Sequence, residues 1–161
     1  MPTLYIETSI VSYLRQSPSL QVVMAARQLL THQWWAQERH NYELVTSQYV
    51  LDEASAGDPE LAAERLQSLE GIPLLPLDPR IGLIASEILS RAILPPKAAI
   101  DALHIAMVAH HGIEYLLTWN CRHIANGKIL PRIHDALTDM GLVIPIICTP
   151  EEMVDGDADE V

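Results

Sequence analysis

Short apolar runs alternate with segments of helical periodicity along the whole chain, and that alternation restricts the fold more than any other feature. The runs cover residues 4–6, 44–46, 72–75, 115–119 and 142–148, each of strand length and bounded by polar residues, Gly or Pro. Between them lie helical patterns over 21–38, 48–55, 60–70, 80–91 and 97–111. In the first of these, Val22, Val23, Ala26, Leu29, Leu30 and Trp34 are spaced for a buried face. Asp58-Pro59 and Asp78-Pro79 each place a capping carboxylate before a first-turn proline, Pro95-Pro96 opens the fifth helix, and Gly112 closes it. Strands separated by helices of this length require crossover connections, which give a largely parallel sheet. Runs that are continuously apolar rather than alternating belong to strands covered on both faces. The expected fold is therefore a three-layer α/β/α sandwich around a mostly parallel sheet of four to five strands.

At 161 residues the chain is the size of one domain, and at 49% hydrophobic and 19% charged it can bury a core of its own. No apolar stretch reaches the roughly 20 residues of a membrane span, and the N-terminus lacks the basic and apolar regions of a secretion signal. Two cysteines far apart, with no CxxC spacing, point to a reducing cytoplasm rather than a disulfide scaffold. The formal charge is −11, and six of the acids fall in the last eleven residues. Residues 1–150 are expected to form the domain and residues 151–161 an acidic, disordered tail. A chain this acidic does not hold nucleic acid on a general basic surface, so any such substrate must be held locally.

In an open parallel sheet, ligands bind beyond the carboxyl ends of the strands. Four polar residues come to that edge from separate segments. Glu7 ends the first apolar run, Glu53 lies in the helix after the second, Asp101 lies near the start of the helix opened by Pro95-Pro96, and Asn120 follows YLLTW. Simpler roles exist for three of them: a helix cap for Glu7, solvated surface for Glu53, and a turn for Asn120. Asp101 is different, because residues 98–107 around it are almost all apolar and a carboxylate there needs a compensating partner or metal. Competing motifs are missing: there is no GxxxxGK[ST], GxGxxG, GxSxG or HExxH, and the adjacent His110 and His111 diverge on a helix. A phosphoacceptor module would need paired acids after the first strand and a Lys ending the last, and LVIPIICT has none.

The segments YIETSIVSYL, TSQYVLDEASAGDP and KAAIDALHIAMVAHHGIEYLLTWNCRHIAN resemble the PIN domain of VapC-like toxins over residues 3–147. The resemblance implies a metal-dependent endoribonuclease, the toxin of a toxin–antitoxin pair, with a homodimer and a cognate antitoxin as partners. Carried over by position, the family's acids fall on Glu7, Glu53 and Asp101 as catalytic metal ligands and its fourth catalytic position on Asn120, with Thr8 and Thr118 as accompanying hydroxyls expected to bind the substrate phosphate. There are departures: the first acid is usually Asp, the fourth is here Asn, and His123 stands where some relatives carry a further acid. Oxygen donors alone suit Mg²⁺ or Mn²⁺ rather than Zn²⁺, and Arg122 and Lys97 would add local attraction for an RNA phosphodiester. The alternative is a degenerate PIN domain that binds RNA or protein without cutting.

Overall fold

A computed structural model describes residues 1–154. Four strands, β1 (Thr3–Ile6), β2 (Glu43–Val45), β3 (Tyr115–Leu117) and β4 (Ile146–Cys148), form one sheet in the order β2-β1-β3-β4, with every pairing parallel. Seven α-helices are found among the described residues. They are α1 (Thr8–Arg15), α2 (Val22–Gln37), α3 (Gln48–Ala54), α4 (Pro59–Leu69), α5 (Pro79–Ser90), α6 (Ala99–His110) and α7 (Leu130–Asp139). The result is the expected α/β/α sandwich around an all-parallel sheet. Leu4, Tyr5 and Ile6 of β1 and Leu116 and Leu117 of β3 are fully buried, as two-sided coverage of central strands demands. Register is fixed by Tyr5 lying between Val45 and Leu116.

Prolines trim the expected strands. Residues 72–75 make only a single bridge, Leu74 to Thr46, and not a fifth strand. Pro73 has no N–H to donate and instead accepts from Thr46 N, while Leu75 N donates to Thr46 O and Pro76 follows. The run 142–148 pairs only from Ile146 onward, directly after Pro145. The caps form as their sequence suggests, with Asp58 Oδ2 accepting from Leu61 N at 3.0 Å and Asp78 Oδ1 from Arg80 N at 2.8 Å. Gly112, at φ +63°, takes the left-handed turn that ends α6.

Three features differ from expectation. First, α2 is rotated, so Val22, Val23, Ala26 and Leu29 are exposed, and Gln28, Thr31 and Trp34 are buried. The two polar residues can face inward because both are paired. Gln28 bonds Ser17 O and Ser19 N, and Thr31 donates to Arg27 O while accepting from Trp119 Nε1. Second, α7 was not anticipated, although Ile133, Ala136 and Leu137 bury one face of it. Third, the expected tail begins too early. Residues 150–153 form a 3₁₀ turn closed by a capping box between Thr149 and Glu152, and Met153 and Val154 pack on the core. Residues 155–161 of that tail lie outside the described residues.

Candidate active site

The chain leaves β1 toward β2 on one side and returns to β3 on the other, so strand order reverses between β1 and β3. In open parallel sheets the crevice that takes a ligand lies at such a point, beyond the carboxyl ends of the strands. Glu7 sits directly after β1, and its backbone N–H continues the pairing by donating to Leu117 O. Its extended backbone makes it the N-cap of α1, with side-chain Oε2 accepting from Ser9 N at 2.6 Å. The capping and functional readings of Glu7 are thus compatible. At 4% exposure, burial pushes its carboxyl above the ordinary range, against the opposing influence of His104 and the Ser9 bond.

Glu53 reaches the same place from α3. Its Oε1 accepts from Thr8 Oγ1 at 2.7 Å and lies 2.5 Å from His104 Nε2. Partial burial raises this carboxyl, but the His104 bond, the field of that imidazole and the Thr8 bond bring it net below its usual value. Asp101 lies in the first turn of α6, which runs back from this edge of the sheet. The compensating partners that its apolar setting requires are Asn120 Nδ2, 3.0 Å from Oδ1, and His123 Nδ1, 3.0 Å from Oδ2. Asn120 also has a local role, since its Oδ1 accepts from His123 N.

Two half-sites result, Glu7–Thr8–Glu53–His104 and Asp101–Asn120–His123. Ser9 and Thr118 join them. Ser9 Oγ accepts from Trp119 N at 2.8 Å and lies 3.4 Å from Thr118 Oγ1, which accepts from Asn120 N at 2.9 Å. Lys97 and Arg122 are exposed, and among the described residues neither side chain bonds to this network. The sequence reasoning missed Ser9, Tyr5 and His104. The signal for His104 was its position, one helical turn after Asp101 inside the apolar run of α6.

Among the described residues, no three His, Cys, Asp or Glu side chains stand close enough together to enclose an ion. The donor chemistry nonetheless fits a hard divalent cation. Three carboxylates and an amide supply oxygen, one carboxylate is buried without a cationic side chain bonded to it, and Mg²⁺ characteristically keeps several waters while taking one or two carboxylates.

The PIN domain family model matches residues 4–127, a span containing all of these side chains, and the chain belongs to the PIN domain family. PIN domains are generally nucleases, so the family places its activity on nucleic acid. No curated protein matches the chain. Among the described residues no helix is long and apolar enough to cross a membrane.

Proposed function

We propose that this protein is a divalent-metal-dependent endoribonuclease. The observation that supports the reading is that two polar half-sites, Glu7 with Glu53 and Asp101 with Asn120, come from four separate segments to the edge where strand order reverses. Glu7, Glu53 and Asp101 would hold Mg²⁺ or Mn²⁺ directly or through water. Bound there, the ion would supply an activated water and stabilise the charge that develops on the phosphoryl oxygens. Asn120 orients a water or the scissile phosphate, Thr8 and Thr118 hold their neighbours in place, and Lys97 and Arg122 offer the flanking phosphates cationic contacts. With a net charge of −11, RNA must be attracted at this edge rather than over the surface. The likeness of its motifs to VapC-like toxins supports a toxin role in the cytoplasm, as a homodimer neutralised by a cognate antitoxin.

Cleavage of single-stranded RNA by the purified protein, measured with Mn²⁺ or Mg²⁺ and with excess EDTA, tests this. Cleavage with either ion that EDTA abolishes is the expected result; cleavage in EDTA, or none with either ion, refutes it. A second reading has its own support, since Asp101 is engaged by Asn120 and His123 and, among the described residues, no three ligating side chains are grouped. A non-catalytic PIN module would retain RNA in a gel shift and leave it intact.

A further inference from the structure

A chain of buried polar groups runs beneath the crevice, and the proposed chemistry does not yet use it. Ser47, Tyr5 and His104 are each 0–1% exposed. Ser47 Oγ lies 2.6 Å from Tyr5 Oη, Tyr5 Oη 2.7 Å from His104 Nδ1, and His104 Nε2 2.5 Å from Glu53 Oε1. They come from the N-cap of α3, the centre of β1 and the middle of α6. A carboxylate oxygen only accepts, so Nε2 carries a proton. With Nε2 protonated, Nδ1 can accept from the Tyr5 hydroxyl and Tyr5 from Ser47, so each of these buried groups has a partner. Polar groups buried this deeply cost more than an apolar core of the same shape unless every member is paired.

The chain ends on the most accessible of the three carboxylates, since the Glu53 side chain is 37% exposed and stands on a seven-residue helix. Left alone, such a side chain samples several rotamers. Here Oε1 receives two donors, His104 Nε2–H and the Thr8 hydroxyl, which together occupy both of its lone pairs. Only Oε2 remains to face the crevice. We propose that His104, itself held by Tyr5, is a positioning residue that presents Glu53 to a divalent cation through one oxygen. Resting on the metal-dependent reading above, this assigns a role to two residues outside the carboxylate set. Groups that orient a metal's ligands in this way characteristically change metal affinity about 10–100-fold when removed.

Two substitutions separate positioning from stability. The amide nitrogen of His104→Gln can stand near Nε2 and keep donating to Glu53, whereas the amide oxygen of His104→Asn can stand near Nδ1 and keep only the bond from the Tyr5 hydroxyl. Each loses one buried bond, so both should melt lower by similar amounts. Mn²⁺ affinity, measured on the full chain by calorimetry and by paramagnetic resonance of free Mn²⁺, should fall about tenfold or more in His104→Asn and stay within about threefold of wild type in His104→Gln. Equal affinities in all three proteins, or an equal loss in both variants, overturn the proposal. If His104→Asn does not fold, Tyr5→Phe carries the test, because it frees His104 while leaving Glu53 and Thr8 intact. Weaker Mn²⁺ binding in that variant supports the role, and unchanged binding overturns it. Wild-type protein that neither binds Mn²⁺ nor cuts RNA removes the metal reading itself, and the positioning role with it; wild type that does both, with unaffected variants, removes the positioning role alone.

Discussion

Replacing Asp101 by asparagine separates what this side chain does for the fold from what it does for the chemistry. Asp101 accepts from Asn120 Nδ2 and His123 Nδ1, and it stands in the first turn of α6, where a negative charge meets the positive end of the helix dipole. A first-turn carboxylate contributes about 0.3–1 kcal/mol. A hydrogen bond to a charged acceptor exceeds a neutral one by about 1 kcal/mol. Opposing both is the dehydration of a carboxylate that is 19% exposed, which the neutral amide relieves in part. The net expectation is a metal-free protein less stable by about 1–2 kcal/mol, a fall in melting temperature of about 2–8 °C for a domain of this size. Cleavage with saturating Mn²⁺ should fall about 100-fold or more, because an anionic ligand is lost while the shape is kept. Differential scanning fluorimetry in EDTA and single-turnover cleavage of a labelled RNA give the two numbers. A melting temperature above wild type would show that Asn120 and His123 do not offset the burial of Asp101. Unchanged cleavage would place Asp101 outside the site.

Glu7→Gln should change how stability depends on pH. The Glu7 carboxyl is held above its unfolded value of about 4.3, so its contribution is full below that value and is lost as pH rises through the folded one. Urea unfolding of metal-free protein from about pH 4.5 to about 7 should therefore fall less steeply in the variant, and parallel curves would contradict the effect of burial. Asn120→Asp sets a carboxylate against Asp101 where an amide now donates at 3.0 Å. Calorimetry should show Mn²⁺ affinity rising about tenfold, or about 1.4 kcal/mol, while the melting temperature in EDTA falls; no change in either makes Asn120 a turn residue only. Truncation after Val154 should leave the melting temperature unchanged, whereas truncation after Pro150 removes the Glu152 cap and the packing of Met153 at about 1–3 kcal/mol. Equal melting of the two truncated proteins would refute that difference.

The alternation of strand and helix could be read from the sequence because both periodicities are local, and so could the caps at Asp58 and Asp78, which need only a carboxylate and the next few residues. Asp101 stood out because its neighbours are apolar. What escaped depends on partners distant in sequence. Gln28 and Thr31 look like surface until Ser17, Ser19 and Trp119 are seen to satisfy them, and that is why Val22, Val23, Ala26 and Leu29 face outward while Trp34 and, in part, Leu30 are buried as expected. His104 was one of seven histidines, and its role depends on Tyr5, 99 positions away. The Ser9–Thr118 contact spans 109 positions between two hydroxyls, of a kind that usually caps helices and turns. Likewise, Glu7 and Asn120 each invited a choice between a local backbone role and a place in a site, and each side chain makes the local bond, Glu7 with Ser9 N and Asn120 with His123 N, at the edge where strand order reverses.

The hydroxyl bridge between the ends of β1 and β3 has a consequence for deuterium exchange. The amides of Trp119 and Asn120 lie beyond the last residue of β3, in a segment without regular structure, yet each donates to a side-chain oxygen, Ser9 Oγ or Thr118 Oγ1. The amide of Thr118 donates to Cys148 O, and that of Glu7 to Leu117 O. Three successive donors, Thr118, Trp119 and Asn120, and the Glu7 amide are therefore closed at the rim of the sheet, and all but the local Asn120 bond tie together separate segments. Their hydrogens should exchange with those of the buried strands, in the slow class that reports cooperative opening, and not with surface loops. On the metal-dependent reading, an ion or phosphate arriving at this edge would meet a floor whose spacing was fixed when the chain folded, and any adjustment to it would fall to the side chains above.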